Sequence, residues 1–228
     1  VVAKISITLS NVNDAPIAIS QSLTNAEDTT FAITLTGSDV DGPVTNFTVV
    51  TTPSFGALSG TAPNLTYNPN TNYFGGDSFT FTVNDGSLTS AVATVAITLT
   101  NVNDAPIAIS QSLTNAEDTT FAITLTGTDV DGPATNFVVV ATPTFGTLSG
   151  TAPNLTYQPN TNYFGPDSFT FAVNDGSLTS AVATVAIALT NVNDTPIAIS
   201  QSLTNAEDTT FAITLTGADV DGPATNFV

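Results

Sequence analysis

The sequence predicts an all-β fold: tandem seven-stranded antiparallel β-sandwiches in a linear row. Three observations carry this: an internal repeat of 90 residues, an apolar alternation of period two, and turn residues between short apolar runs. The segment NVNDAPIAISQSLTNAEDTTFAITLTG begins at Asn11 and at Asn101, and returns at Asn191 with Thr195 in place of Ala. Residues 11–100 and 101–190 agree at 80 of 90 positions, so a single structural unit is repeated. Residues 1–10 align with 91–100 and read as the last strand of a preceding repeat. Residues 191–228 read as the first strands of a further, truncated one.

Inside a repeat, Phe31, Ile33 and Leu35 fall on one face of a strand, and Phe79, Phe81 and Val83 do the same on another, with Thr on the opposite faces. With Gly, Pro, Asn and Asp taken as breaks, seven strands follow in order: A near 16–23, B near 31–36, C near 44–52, D near 55–60, E near 63–67, F near 77–84 and G near 89–99. Seven short strands in about ninety residues fit an immunoglobulin-like sandwich. No segment carries a helical stripe. The Phe, Val, Ile and Leu are therefore expected in the core, with Tyr67 and Tyr73 covering one end. No aromatic platform is expected on an exposed face.

Composition excludes several functions. Nineteen acids face one base, Lys4, for a net charge of −18, and there is no His, Cys, Met or Trp. Nucleic-acid binding needs cationic side chains to displace phosphate counterions, so nucleic acid is not a partner. Thiolate or imidazole catalysis and zinc or copper sites on those ligands are absent, and no nucleophile with a base is available, so no enzyme is expected. A metal, if bound, is bound through oxygen, which points to Ca²⁺. The chain is 41% hydrophobic, which separates it from acidic disordered chains. No apolar run reaches the length of a membrane span.

The acids are not spread evenly. Repeat one holds Asp14, Glu27, Asp28, Asp39, Asp41, Asp77 and Asp85, all expected outside strand interiors. Alternating strand directions send Glu27, Asp28 and Asp77 to one pole, and Asp39, Asp41, Asp85 and Asp14 to the other. Joining two repeats then gathers Glu27, Asp28, Asp77, Asp104, Asp129, Asp131 and Asp175 with the amides Asn101 and Asn103. Their equivalents are Asn11, Asn13 and Asp14 before repeat one, and Glu117, Asp118, Asp167, Asn193, Asp194, Asp219 and Asp221 at the next junction. At about 5 Å and an effective dielectric of about 20, each ionised pair costs roughly 3 kcal/mol. Bound Ca²⁺, one or two ions per junction, is the simplest compensation. Asp-Gly and Asn-Asp are also ordinary turn formers, so Asp85 or Asp28 taken singly proves little.

The linker Asn101-Val-Asn103-Asp104-Ala-Pro106, the turn Asp129-Val-Asp131-Gly132, the early Glu27 and the strand end Val83-Asn84-Asp85-Gly86 together resemble the cadherin-like tandem repeats of bacterial surface proteins and giant adhesins. The resemblance implies a cadherin-like sandwich with calcium at each junction. It implies ligand roles for Glu27, Glu117, Asn103, Asp104, Asp129, Asp131 and Asp175. The sequence departs from animal cadherins at Asn101, where Asp is usual, at Ala105, where Asn is usual, and in lacking the Leu-Asp-Arg-Glu segment. Asp77 is the candidate to replace part of that segment.

These readings lead to a calcium-stiffened stalk or extracellular fibre, on the order of 40 Å per repeat, at a bacterial cell surface. The alternative is a module that itself binds glycan or protein. Neighbouring repeats and identical chains in a filament are the partners the pattern admits. The first repeat has 18 Thr and the second 17, and Asn46-Phe-Thr, Asn64-Leu-Thr and Asn154-Leu-Thr match the N-glycosylation pattern, so covalent glycans are a further candidate. The bare rod is the favoured form: native material should show an intact mass equal to that of its polypeptide alone, and a heavier, heterogeneous mass would establish the coat.

Overall fold

A computed structural model describes residues 2–227 of the chain. Among them are strands and turns only, and no helix is long and apolar enough to cross a membrane. The chain divides into two compact units between Val102 and Asn103. In the first, the strands are β1 (Ile17–Ile19), β2 (Gln21–Ala26), β3 (Phe31–Thr34), β4 (Thr36–Ser38), β5 (Asn46–Thr51), β6 (Gly56–Thr61), β7 (Asn64–Pro69), β8 (Gly75–Asn84) and β9 (Ala93–Thr100). They form a four-stranded sheet in the order β2-β9-β8-β5, a three-stranded sheet in the order β3-β7-β6, and the pair β1-β4.

The predicted sandwich is present, with strands A and B each broken in two. Strand A crosses between sheets at Ser20: β1 pairs antiparallel with β4, whereas β2 pairs parallel with β9 from Gln21 opposite Val95 to Ala26 opposite Thr100. The Ser20 hydroxyl accepts the Thr94 N–H at 3.1 Å and fixes the switch. Strand B breaks at Leu35, whose N–H is taken by the Pro63 carbonyl. Period-two alternation cannot reveal either break, because the alternation itself continues through them.

The second unit repeats the plan. Its strands are β10 (Ile107–Ile109), β11 (Gln111–Ala116), β12 (Phe121–Thr124), β13 (Thr126–Thr128), β14 (Asn136–Ala141), β15 (Gly146–Thr151), β16 (Asn154–Pro159), β17 (Gly165–Asn174) and β18 (Ala183–Thr190), in sheets β11-β18-β17-β14 and β12-β16-β15. Of residues 191–228, β19 (Ile197–Ile199) and β20 (Thr216–Ala218) pair with each other. Residues 2–10 form no strand and are exposed.

Each repeat has its own core. In the first it is built from Ile33, Leu35, Leu65, Tyr67, Phe79, Phe81, Val83, Val95, Ile97 and Leu99, and in the second from their equivalents 90 residues on. The alternation fixes this: β9 reads buried at Ala93, Val95, Ile97 and Leu99, with Thr and Ala outward. Tyr67 does not cover the end of the sandwich. It lies at 0% exposure in the core, its ring against Gly56, where an added Cβ would approach to 2.4 Å.

Asp77 is the other departure. Strand β8 begins at Gly75, so Asp77 lies within a strand, opposite Ile97. Its carboxylate accepts the Tyr67 hydroxyl at 2.7 Å and the N–H groups of Ser54 at 2.9 Å, Phe55 at 3.0 Å and Ser78 at 2.8 Å. It thus ties β8 of one sheet to β7 of the other. Burial raises the Asp77 pKa, but these four donors outweigh it and hold the carboxyl below 3.8. Burial first, and then Asp77, pushes the Tyr67 hydroxyl well above its ordinary value. Asp167 and Tyr157 repeat the bond at 2.6 Å.

Because its folded pKa is depressed, Asp77 contributes stability that is present above its unfolded value of 3.8 and is lost as pH falls through the lower folded value. Tyr67→Phe combined with Tyr157→Phe should cost about 1–3 kcal/mol per repeat in urea unfolding at pH 7, with a smaller difference below pH 4. An equal difference at both pH values would place the stabilisation elsewhere.

Candidate metal-binding junction

Two chain segments meet at each pole, and the geometry follows from the parallel pairing of β2 with β9. That pairing ends the first strand of a repeat beside its last. Glu27 follows β2, and its N–H donates to the Thr100 carbonyl at 3.0 Å. Its Oε1 then accepts the Val102 N–H at 2.8 Å, so the linker is held over the sheet end. Glu117 does the same with Thr190 and Val192, at 3.0 and 2.8 Å. Both carboxylates are buried, at 2% and 1% exposure, and Oε2 of each has no partner. A buried carboxylate oxygen left without a donor is costly and calls for an explanation.

Beside each Glu stands an Asp with left-handed backbone, φ 55° at Asp28 and 57° at Asp118. Their Oδ1 atoms accept the N–H groups of Asn72 at 2.9 Å and Asn162 at 2.8 Å, which pins the turn between β7 and β8 and its equivalent.

The other pole is built from the linker and two turns. In the second unit, Asp131 Oδ2 accepts the Asp104 N–H at 2.5 Å, Asp129 Oδ1 accepts the Asp131 N–H at 3.0 Å, and Asn103 Nδ2 donates to Asp175 Oδ2 at 2.8 Å. The first unit has the same arrangement: Asp14 N–H to Asp41 at 2.6 Å, Asp41 N–H to Asp39 at 2.8 Å, and Asn13 to Asp85 at 2.8 Å, with Asn11 donating to Asp41 at 2.8 Å. One oxygen each of Asp39 and Asp131 is buried without a partner. Asp85 and Asp175 also accept two N–H groups of their own turn, and these bonds, that from Leu88 or Leu178 first, hold both carboxyls below the usual range.

The second unit contains a whole junction: Glu117 and Asp118 from its sandwich, and Asn193, Asp194, Asp219 and Asp221 from the segment that follows. Val192, bonded to Glu117, is two residues from Asp194, whose N–H makes a short hydrogen bond to Asp221. Burial, and then the charges of Asp221, Asp118 and Asp219, push the Asp194 carboxyl up, and its Oδ2 is buried without a partner. As the side chains stand, no three carboxylates among the described residues converge to enclose an ion. The donor set nevertheless fits a hard cation: every atom is oxygen, and buried Glu117 and Asp194 oxygens are unpaired.

Asp77 and Asp167, expected among the ligands, are instead occupied by the four donors described above for Asp77 and their equivalents around Asp167. Asn101 makes no hydrogen bond with the acids of its unit. Sequence reasoning missed the backbone of Val102 and Val192, whose part depends on a separation of 75 residues that no local motif displays. It also missed a recurring aromatic ledge. Phe55 stacks on Tyr73, and Phe145 on Tyr163, each pair with centroids 4.0 Å apart. Phe55 and Phe145 are exposed, as are the adjacent Phe74 and Phe164.

A family model described as bacterial Ig domain matches residues 13–98 and again 103–188. Integrin beta-like protein A of Dictyostelium discoideum is 34% identical over 113 residues, which cover 42% of this chain and 6% of that protein. Human CDH23 EC21-23 superposes with a TM-score of 0.55 at 16% identity, over 91% of this chain and 80% of that one. The protocadherin GammaB4 extracellular domain does so at 0.51 and 18%, over 92% and 39%. The endo-fucoidan hydrolase MfFcnA4_H294Q is 23% identical at a TM-score of 0.35, and this chain covers 30% of it. The two cadherin likenesses show a shared fold.

The raised Asp194 pKa gives a signed test. Stability associated with this group is fully present below 3.8 and is lost as pH rises through the higher folded value. In EDTA at pH 7, Asp194→Asn should therefore raise the melting temperature, and the gain should vanish near pH 3. A fall in EDTA at pH 7 would show that the acids are already compensated within the chain.

Proposed function

Because this chain belongs to the bacterial Ig domain family, in two tandem copies, we propose that it is a structural stalk or fibre of a bacterial surface, stiffened by calcium at its junctions. Tandem Ig/cadherin-like domains are extracellular structural or adhesion modules, and the finer reading rests on one observation. The Glu117 carboxylate is buried at the end of a sandwich, holds the outgoing linker through Val192 with one oxygen, and leaves its other oxygen unpaired.

The chain's own residues supply the mechanism. Glu117 Oε1 fixes where the linker leaves the sheet, and Asp118 fixes the neighbouring turn. Asp221 orients the backbone at Asp194. The oxygens of Glu117, Asp118, Asn193, Asp194, Asp219 and Asp221 would hold the cation. Calcium accepts six to eight oxygens in flexible geometry, which suits carboxylates from several loops. Neutralising these charges removes the repulsion that otherwise favours an open, bending linker. By the 90-residue repeat, the same residue types recur at Glu27, Asp28, Asn103, Asp104, Asp129 and Asp131. The reading is of a non-enzymatic module.

A second reading, adhesion by the repeats themselves, is favoured by the Phe55–Tyr73 and Phe145–Tyr163 ledges, since stacked exposed rings offer an apolar face to a sugar or a protein. Binding on a glycan array that is lost in Phe55→Ala with Phe145→Ala would support it.

Removing calcium with EDTA should lower the melting temperature and shorten the longest dimension in small-angle scattering, and adding calcium should restore both. Identical melting and scattering with and without chelator would overturn the calcium reading while leaving the stalk reading intact.

A further inference from the structure

We propose that a second copy of this chain docks side by side on the repeats, through β14, the edge strand of the second four-stranded sheet, paired antiparallel about Val138. β14 is terminal in the order β11-β18-β17-β14, so its ladder is satisfied by β17 on one side only. Edge strands of monomeric proteins are usually blunted by Lys, Pro or inward charges. β14 reads Asn-Phe-Val-Val-Val-Ala and has none of these. Val138 and Val140 each remain 56% exposed.

The charge pattern selects the partner. From Gly132 to Pro166 no residue is charged, and from Gly42 to Gly76 none is either, although the chain carries −18. Every acid lies outside these runs, so β14, β15 and the turns joining them present a neutral surface on which an equally acidic chain is not repelled. A basic partner would find nothing to attract it there.

The strand is also its own complement. A two-fold axis at Val138 sets Val138 against Val138 of the other copy and Phe137 against Val139. Core-facing Phe137 and Val139 then meet each other and exposed Val138 meets its own copy, while Val140 falls opposite Asn136. The irregularity between Val139 and Ala141 confines regular pairing about this axis to Phe137–Val139. One such contact is short and weak. β5, terminal in the first four-stranded sheet, is an equivalent edge with Thr48 in the place of Val138.

Sedimentation velocity on the 228-residue chain over a concentration series, in calcium and in EDTA, tests this. Association should be concentration-dependent, and Val138→Lys with Val140→Lys should weaken it at least tenfold. The control, Ala186→Lys with Ala188→Lys, adds the same charge on exposed positions of the central strand β18 and should change it less than twofold. Because the chain has no cysteine, Val138→Cys should form a disulfide-linked dimer under mild oxidation well ahead of Ala186→Cys. A chain that stays monomeric to about 1 mM, equal weakening by both lysine pairs, or equal cross-linking of the two cysteine variants would overturn the proposal.

Discussion

The buried carboxylate that closes each sandwich, Glu27 in the first repeat and Glu117 in the second, is the interaction on which the rest of the architecture depends. Its N–H caps the last residue of β9 or β18, and its Oε1 takes the first linker N–H beyond that strand. One side chain thus joins the start of a repeat to its end and sets the exit of the chain. This is possible because β2 runs parallel to β9, which brings the first and last strands to the same pole. An antiparallel pairing would have placed Glu27 at the opposite end from Val102.

That arrangement is costly by itself. A buried carboxylate with one satisfied oxygen is stable only if something else meets the other. The linker brings more carboxylates, of which Asp194 already shows the strain of burial and like charge. The cation proposed for the junction would meet both needs at once, by satisfying the unpaired oxygens and removing the repulsion.

The Asp77–Tyr67 pair works in the opposite sense. It also buries an acid, but surrounds it with four donors and so contributes to the sandwich rather than to its joints. Acids of the same type in the same repeat therefore divide by their partners: those met by backbone and hydroxyl donors hold the fold, and those left with an open oxygen are available to a ligand. The stretches 42–76 and 132–166 carry no charge at all.

The sequence by itself determined the repeat, the period-two strands, the core on the apolar faces, and the placing of most acids at turns. These are local properties: alternation over four to eight residues decides which face is buried, and Asn, Asp, Gly and Pro decide where strands stop. It could not determine that strand A changes sheets at Ser20, that Tyr67 lies in the core, or that Asp77 is enclosed within a strand. Nor could it show that Glu27 reaches Val102. Each of these depends on residues ten to seventy-five positions apart, and their partners become neighbours only once the two sheets have packed.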